Sequence, residues 1–188
     1  MGNSLKSDSS LTGDSDKRIV VGCDHGGLAL KYEMMRALAG WGYEIDDVGV
    51  GGIVDGRATG LRYDEATGTL QTVESVDYPD YAAKLGQKIQ SGEHALGLLI
   101  CGSGIGICIS ANKMVGIRAA LCSEPYSARM ARLHNNANVL CMGGRTVGPE
   151  VARTVLEAFL ETEFEGGRHA RRVDKIAAIE SQRGESKS

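Results

Sequence analysis

The chain has no apolar run approaching the ~20 residues that a membrane-spanning helix needs. It has no Cys-x-x-Cys pair. Its five cysteines are an odd number at scattered positions, which argues against a disulfide scaffold or a zinc knuckle. That usage suits a reducing compartment, and the expected location is cytoplasmic. Excess positive charge is also missing. A net charge of -3 gives no general reason to expect nucleic acid or a membrane surface as partner. Residues 1–16 lack the apolar core of a signal peptide and hold too little apolar matter to fold, so a disordered tail is expected there. Met1-Gly2 opens as a myristoylation signal does, but Lys6 stands where that signal needs Ser or Thr.

What is present is an ordinary globular composition, 42% hydrophobic over 188 residues, enough for one domain with a full core. The domain is expected over 17–183, with a polar C-terminal tail fraying over 184–188. Apolar runs alternate with helical patterns. Strands are expected at Arg18–Cys23, Tyr43–Val48, Ala95–Ile100, Gly116–Cys122 and Asn138–Met142. Helices are expected at Leu28–Leu38, Tyr78–Gln90, Ile105–Met114, Pro125–His134, Pro149–Phe164 and Arg171–Gln182. In the last of these, Val173, Ile176, Ala177 and Ile179 form an apolar side. Such alternation argues an α/β fold: a Rossmann-like, three-layer α/β/α sandwich on a mainly parallel five-stranded sheet. The segment 49–76 is the exception. It has no clear period, and loops of that length are functional or disordered, with a local hairpin as a further option.

The chemistry gathers where strands end. Cys101 stands between the run Ala95–Ile100 and the loop Gly102-Ser-Gly-Ile-Gly106, just before a helix. Glycines let main-chain N–H groups approach a ligand, and a helix N-terminus beside a thiol favours the thiolate that a base requires. A buried Cys that only packs is the plain alternative. Ile107 occupies the place where a Walker loop needs Lys, a dinucleotide fingerprint Gly and a phosphatase loop Arg. The loop therefore suits a small oxyanion held by backbone amides.

Asp24 and His25 end the first strand and so share an edge of the sheet with Cys101. They can bind a sugar hydroxyl or move a proton, or Asp24 can simply cap the next helix. His134 and Asn135 precede the fifth strand and stand at its entrance, where they suit a neighbouring subunit's site better than their own. Arg145 follows that strand. Arg168 and Arg172 are four apart and can share a face suited to phosphate, or be solvated surface charge. His94 and His169 have no distinguishing context and are expected at the surface.

Several long motifs in order resemble the ribose-5-phosphate isomerase B family, which also holds the galactose-6-phosphate isomerase subunits. They are Gly22-Cys-Asp-His25, Asp77-Tyr-Pro79, Ile100-Cys-Gly-Ser-Gly-Ile-Gly-Ile107, Ala111-Asn-Lys113 and Gly116-Ile-Arg-Ala119. The match continues in Cys122-Ser-Glu-Pro-Tyr-Ser127, His134-Asn-Asn-Ala-Asn138 and Glu165-Gly-Gly-Arg-His169. The resemblance implies aldose–ketose isomerisation of ribose 5-phosphate and ribulose 5-phosphate through a cis-enediolate, with no metal and no cofactor. It implies Cys101 as the base; members that use Glu carry it at the position of Ile107. It gives ring opening to His134 with Asp24, and the enediolate's anion hole to Gly102, Ser103, Gly104, Ile105 and Gly106. Substrate and phosphate contacts fall to His25, Asn135, Arg145, Arg168 and Arg172. It also implies a homodimer with shared sites, which can pair into a tetramer. The segment 49–76 is longer than the family's usual connection. It leaves open a six-carbon sugar phosphate (allose or galactose 6-phosphate) as substrate. A binding protein without turnover is a third reading.

Overall fold

The structure is a computed structural model. It describes residues 17–51, 53–54, 57–58, 62–64, 69–71 and 75–185, with backbone alone for 53–71 and past residue 182. The expected disordered tail, 1–16, lies outside the described residues, as do 186–188.

In chain order the elements are β1 (Arg18–Cys23), a 3-10 turn (His25–Gly27), α1 (Leu28–Gly40), β2 (Glu44–Asp47), β3 (Ile53–Val54), β4 (Arg57–Ala58), β5 (Arg62–Asp64) and β6 (Thr69–Gln71). Then come α2 (Tyr78–Gln90), β7 (Leu96–Cys101), α3 (Ile105–Ala111), β8 (Ala119–Leu121), α4 (Pro125–Asn135), β9 (Val139–Gly143), α5 (Pro149–Leu160) and α6 (Arg168–Glu185). Five strands form one sheet in the order β2-β1-β7-β9-β8, and every pairing in it is parallel. The long segment before α2 carries two small antiparallel pairs, β3 with β4 and β5 with β6.

Each central strand is buried on both faces, which is why it reads as an unbroken apolar run. Alternate residues serve different cores. Ile19, Val21, Leu98, Ile100, Leu140 and Met142 pack against α1, α4 and α5. Val20, Leu99, Cys101, Val139 and Cys141 face the opposite way, onto α2 and α3. Cys101 is thus aimed at the α2/α3 layer by strand alternation alone.

Several element ends differ from the sequence pattern, and at β8, α3 and α5 side chains compete for the backbone. β8 pairs only over Ala119–Leu121, because Asn138 Oδ1 accepts the Arg118 N–H at 2.8 Å and its Nδ2 donates to Gly116 O at 2.9 Å. α3 stops at Ala111, and Asn112 turns its side chain to β8. There it accepts the Ala119 N–H at 2.9 Å and donates to Ala119 O at 2.8 Å. α5 ends at Leu160, where the Thr162 hydroxyl donates to Ala158 O at 2.7 Å. α6 begins at Arg168 and runs to Glu185, past the start of the expected frayed tail.

Two packing expectations also change. In α1, Met34 is buried in the core with Met35 packed partly buried against it, and Lys31 is fully buried. Its ammonium donates to Asp47 Oδ2 at 2.6 Å and to Val50 O at 2.8 Å, which satisfies the charge. In α6, the apolar side is not covered: Ile176 and Ile179 are 46% and 61% exposed.

Candidate active site

Consecutive strands β1 and β2 run to one side of the sheet, and the chain then crosses to β7 on the other side of β1. The crevice at the carboxyl ends of β1 and β7 is therefore the topological switch point where open α/β sheets bind ligands. Cys23 pairs with Ile100 in register, so Asp24 and Cys101 leave the sheet side by side.

Tight backbone contacts knit this edge together. The Asp24 N–H donates to Ile100 O at 3.2 Å, the Gly144 N–H to Cys101 O at 2.8 Å and the Arg145 N–H to Gly102 O at 3.0 Å. A side chain on Gly26 would meet Gly102 N at 2.9 Å, and one on Gly144 would meet Gly26 O at 2.7 Å. These turns touch only because they carry no Cβ.

Cys101 is buried, and its Sγ accepts the Gly104 N–H at 3.1 Å, which fixes the sulfur over the loop. Gly104 makes that possible with φ +77°, a conformation that favours glycine. The Ser103 hydroxyl is exposed and accepts the Ile105 N–H at 3.3 Å. Tyr78, from α2, lies over Gly106. Sequence reasoning named the Asp77-Tyr-Pro79 motif but gave Tyr78 no place in the site.

Asp24 does cap the 3-10 turn. Its Oδ1 accepts from Gly26 N at 2.8 Å and Gly27 N at 3.1 Å. Oδ2 is not part of that cap, so capping and ligand binding are compatible. Burial pushes the Asp24 carboxyl above its ordinary range, against the opposing pull of His25, the two N–H groups and Arg145. His25 Nδ1 accepts the Val76 N–H at 3.2 Å. That bond leaves Nε2 to carry the proton of a neutral ring and ties His25 to the end of the inserted segment.

Asp24, His25, Cys101, Gly102, Ser103, Gly104, Ile105, Gly106 and Arg145 thus form one cluster. His134, Asn135, Arg168 and Arg172 do not join it within this chain. α4 starts after β8 and carries His134 and Asn135 back along its length, ~16 Å for 11 residues, to the opposite edge of the sheet. Arg168 and Arg172 lie there too, on the first turns of α6, and the Glu165 N–H donates to Leu133 O at 3.0 Å.

His169 corrects a surface expectation. It is 3% exposed, and its ring stacks on that of His134 with centroids 4.1 Å apart and planes within 3°. Burial and the neighbouring His134 ring hold its pKa below the usual value. The one sequence signal for it was its place in the Glu165-Gly-Gly-Arg-His169 motif. His94 is also half-sheltered, with Nε2 3.2 Å from Asp46 Oδ2.

Known proteins bear on this arrangement. A family model described as Ribose/Galactose Isomerase matches residues 60–176. Ribose-5-phosphate isomerase B of Escherichia coli (strain K12) is 43% identical over 167 residues, 89% of this chain and 99% of that protein. D-erythrulose-4-phosphate isomerase of Pectobacterium atrosepticum is 50% identical over 111 residues, 59% of this chain and 73% of that one. Among solved structures, ribose-5-phosphate isomerase B of Clostridium thermocellum superposes with a TM-score of 0.74 at 44% identity, covering 88% of this chain and 98% of that one. Matches of this extent to an α/β sandwich with its cluster at the β1/β7 switch point have one meaning: the chain belongs to the ribose/galactose isomerase family.

Proposed function

We propose that the chain interconverts ribose 5-phosphate and ribulose 5-phosphate, with Cys101 as the base. The carrying observation is the position of Cys101 Sγ, 3.1 Å from the Gly104 amide and beside Asp24, His25 and Arg145. Asp24 takes the proton of the anomeric hydroxyl while His134 of a second copy protonates the ring oxygen, which breaks the C1–O4 bond and opens the furanose. The thiolate then takes the proton from C2. Electrons move onto O1, giving a cis-enediolate whose negative oxygen faces the Gly102–Gly106 loop and the Ser103 hydroxyl. The O2 hydroxyl passes its proton to O1 as the same sulfur returns its proton to C1, leaving a ketone at C2 and a hydroxyl at C1. His25, Asn135, Arg145, Arg168 and Arg172 hold the sugar and its phosphate, whose binding orients the reacting carbons. No step calls for a metal or cofactor.

His134, Asn135, Arg168 and Arg172 lie across the sheet from Cys101, so this reading requires a homodimer with shared sites, which can pair further. Uncovered apolar side chains favour it. Ile105 and Ile109 on α3 are 53% and 55% exposed, and Ile176 and Ile179 on α6 are also bare. Cytoplasmic location fits five free thiols, and no described helix is long and apolar enough to cross a membrane.

The test is interconversion of the two pentose phosphates in EDTA, wild type beside Cys101→Ala. Wild-type turnover should survive chelation, and the variant should stay folded while losing ~10²-fold or more in kcat. A variant near wild-type turnover would overturn the assignment of the base. The inserted segment ends on His25 through Val76, which favours a second reading in which a six-carbon sugar phosphate is preferred. Comparing kcat/KM for four-, five- and six-carbon substrates decides between them. Binding of these sugars with no turnover would point instead to a sensor.

A further inference from the structure

His134, Glu165 and His169 each offer one ligand atom, and these atoms lie within 4.8 Å of one another. Glu165 Oε2 is 3.8 Å from His134 Nε2 and 3.5 Å from His169 Nε2. Ligand atoms around tetrahedral zinc, bonded at 2.0–2.1 Å, stand ~3.3 Å apart. His169 is fixed by burial, whereas His134 is half-buried and Glu165 exposed. Neither His134 nor Glu165 is locked in by burial, so rotation about their own side-chain bonds can bring both to His169. The two rings stack nearly parallel, which points their in-plane Nε2 lone pairs the same way and not at one point, so His134 must turn off the stack to share an ion with His169.

We propose that this cluster binds Zn2+ through His134 Nε2, His169 Nε2 and Glu165 Oε2, with a fourth position open to water. Two imidazoles and a carboxylate are a donor set that suits zinc and not Mg2+, which prefers an all-oxygen octahedron. Opposing the ion are the Arg168 and Arg172 guanidinium groups. Arg168 Nε also donates to His169 Nε2 at 3.2 Å, a bond the ion must displace. These costs set the affinity well below that of a structural zinc site and make the ion exchangeable.

The consequence rests on the isomerase reading. An ion on His134 Nε2 removes the group that opens the sugar ring, so zinc inhibits an enzyme that uses no metal for chemistry.

The first measurement is Zn2+ binding to the full chain, without sugar, by competition with a chromophoric chelator. Wild type should take up one exchangeable ion per chain at this site, with Mg2+ not competing. Glu165→Gln and His169→Asn should each weaken uptake ~10-fold or more, with far-UV spectra showing the variants folded. The second measurement is turnover. Glu165→Gln should keep basal activity and resist zinc at concentrations that inhibit wild type. Equal zinc uptake by wild type and both variants would overturn the site and direct attention to the thiols, as would no uptake at all. Wild type and Glu165→Gln inhibited at the same zinc concentration would overturn the link to His134. Failure of every sugar phosphate to turn over would count against the isomerase reading and leave the binding result standing.

Discussion

Asp24 does two things that oppose each other. Its Oδ1 completes a turn, yet its charge sits where burial disfavours it. A carboxyl whose folded pKa is raised is protonated more readily in the folded chain than in the unfolded one. The ionised group therefore costs stability above its folded pKa, and the cost fades as pH falls toward the ordinary value of 3.8. Asp24→Asn keeps an acceptor for the cap and removes the charge. Its Tm should exceed that of wild type at pH 7, with the difference shrinking in acid, while kcat/KM falls ~10²-fold or more. A Tm difference that does not vary with pH would show that the charge carries no such cost. Residues of this kind were legible in the sequence because strand ends are easily placed, and a strand end places its side chains at the crevice. Lys31 and His169 were not. A buried polar group on a helix has the same periodicity as an exposed one, and only its tertiary partners, Asp47 and Val50 for Lys31 and His134 for His169, make burial tolerable.

The loop between β7 and α3 fixes the sulfur. Gly104 caps α3 with φ +77°, and a Cβ there would meet the Met142 carbonyl carbon at 2.7 Å. Gly104→Ala should cost ~1–3 kcal/mol in chemical denaturation from backbone strain. It should also reduce turnover more than that loss explains, because the amide on Cys101 Sγ is displaced. A folded variant with unchanged kcat would show that the loop's geometry is not needed for catalysis. The elements themselves were readable at this scale. The central strands, buried on both faces, are continuous apolar runs, and each of the five expected strands lies in the sheet. Their ends were less readable. Asn138, Asn112 and Thr162 bind main-chain groups with their side chains, and no propensity scale registers those bonds. Strand order was also out of reach, because β9 enters between β7 and β8 and every crossover is long enough for other arrangements.

For the whole molecule, the proposed shared site has a sharp signature. Cys101→Ala and His134→Asn should each be inactive alone. Refolded together they form mixed dimers in which one site regains both groups, so about a quarter of wild-type activity should return. No recovery, with mixed dimers shown by mass spectrometry, would place both groups in one subunit's site. The separation of the two groups within one chain was legible in the sequence, because His134 precedes a strand and Cys101 ends one. The edge strand β8 adds a constraint of its own. Asn112 takes up both outward backbone groups of Ala119, and the Cys108 thiol also donates to Ala119 O at 3.5 Å. A foreign strand arriving there finds its hydrogen-bonding partners already engaged, as in other proteins that guard an open edge. Along this edge, copies of the chain can meet only through side chains, whose contact ends where their shapes end, rather than through a backbone ladder that could grow without end.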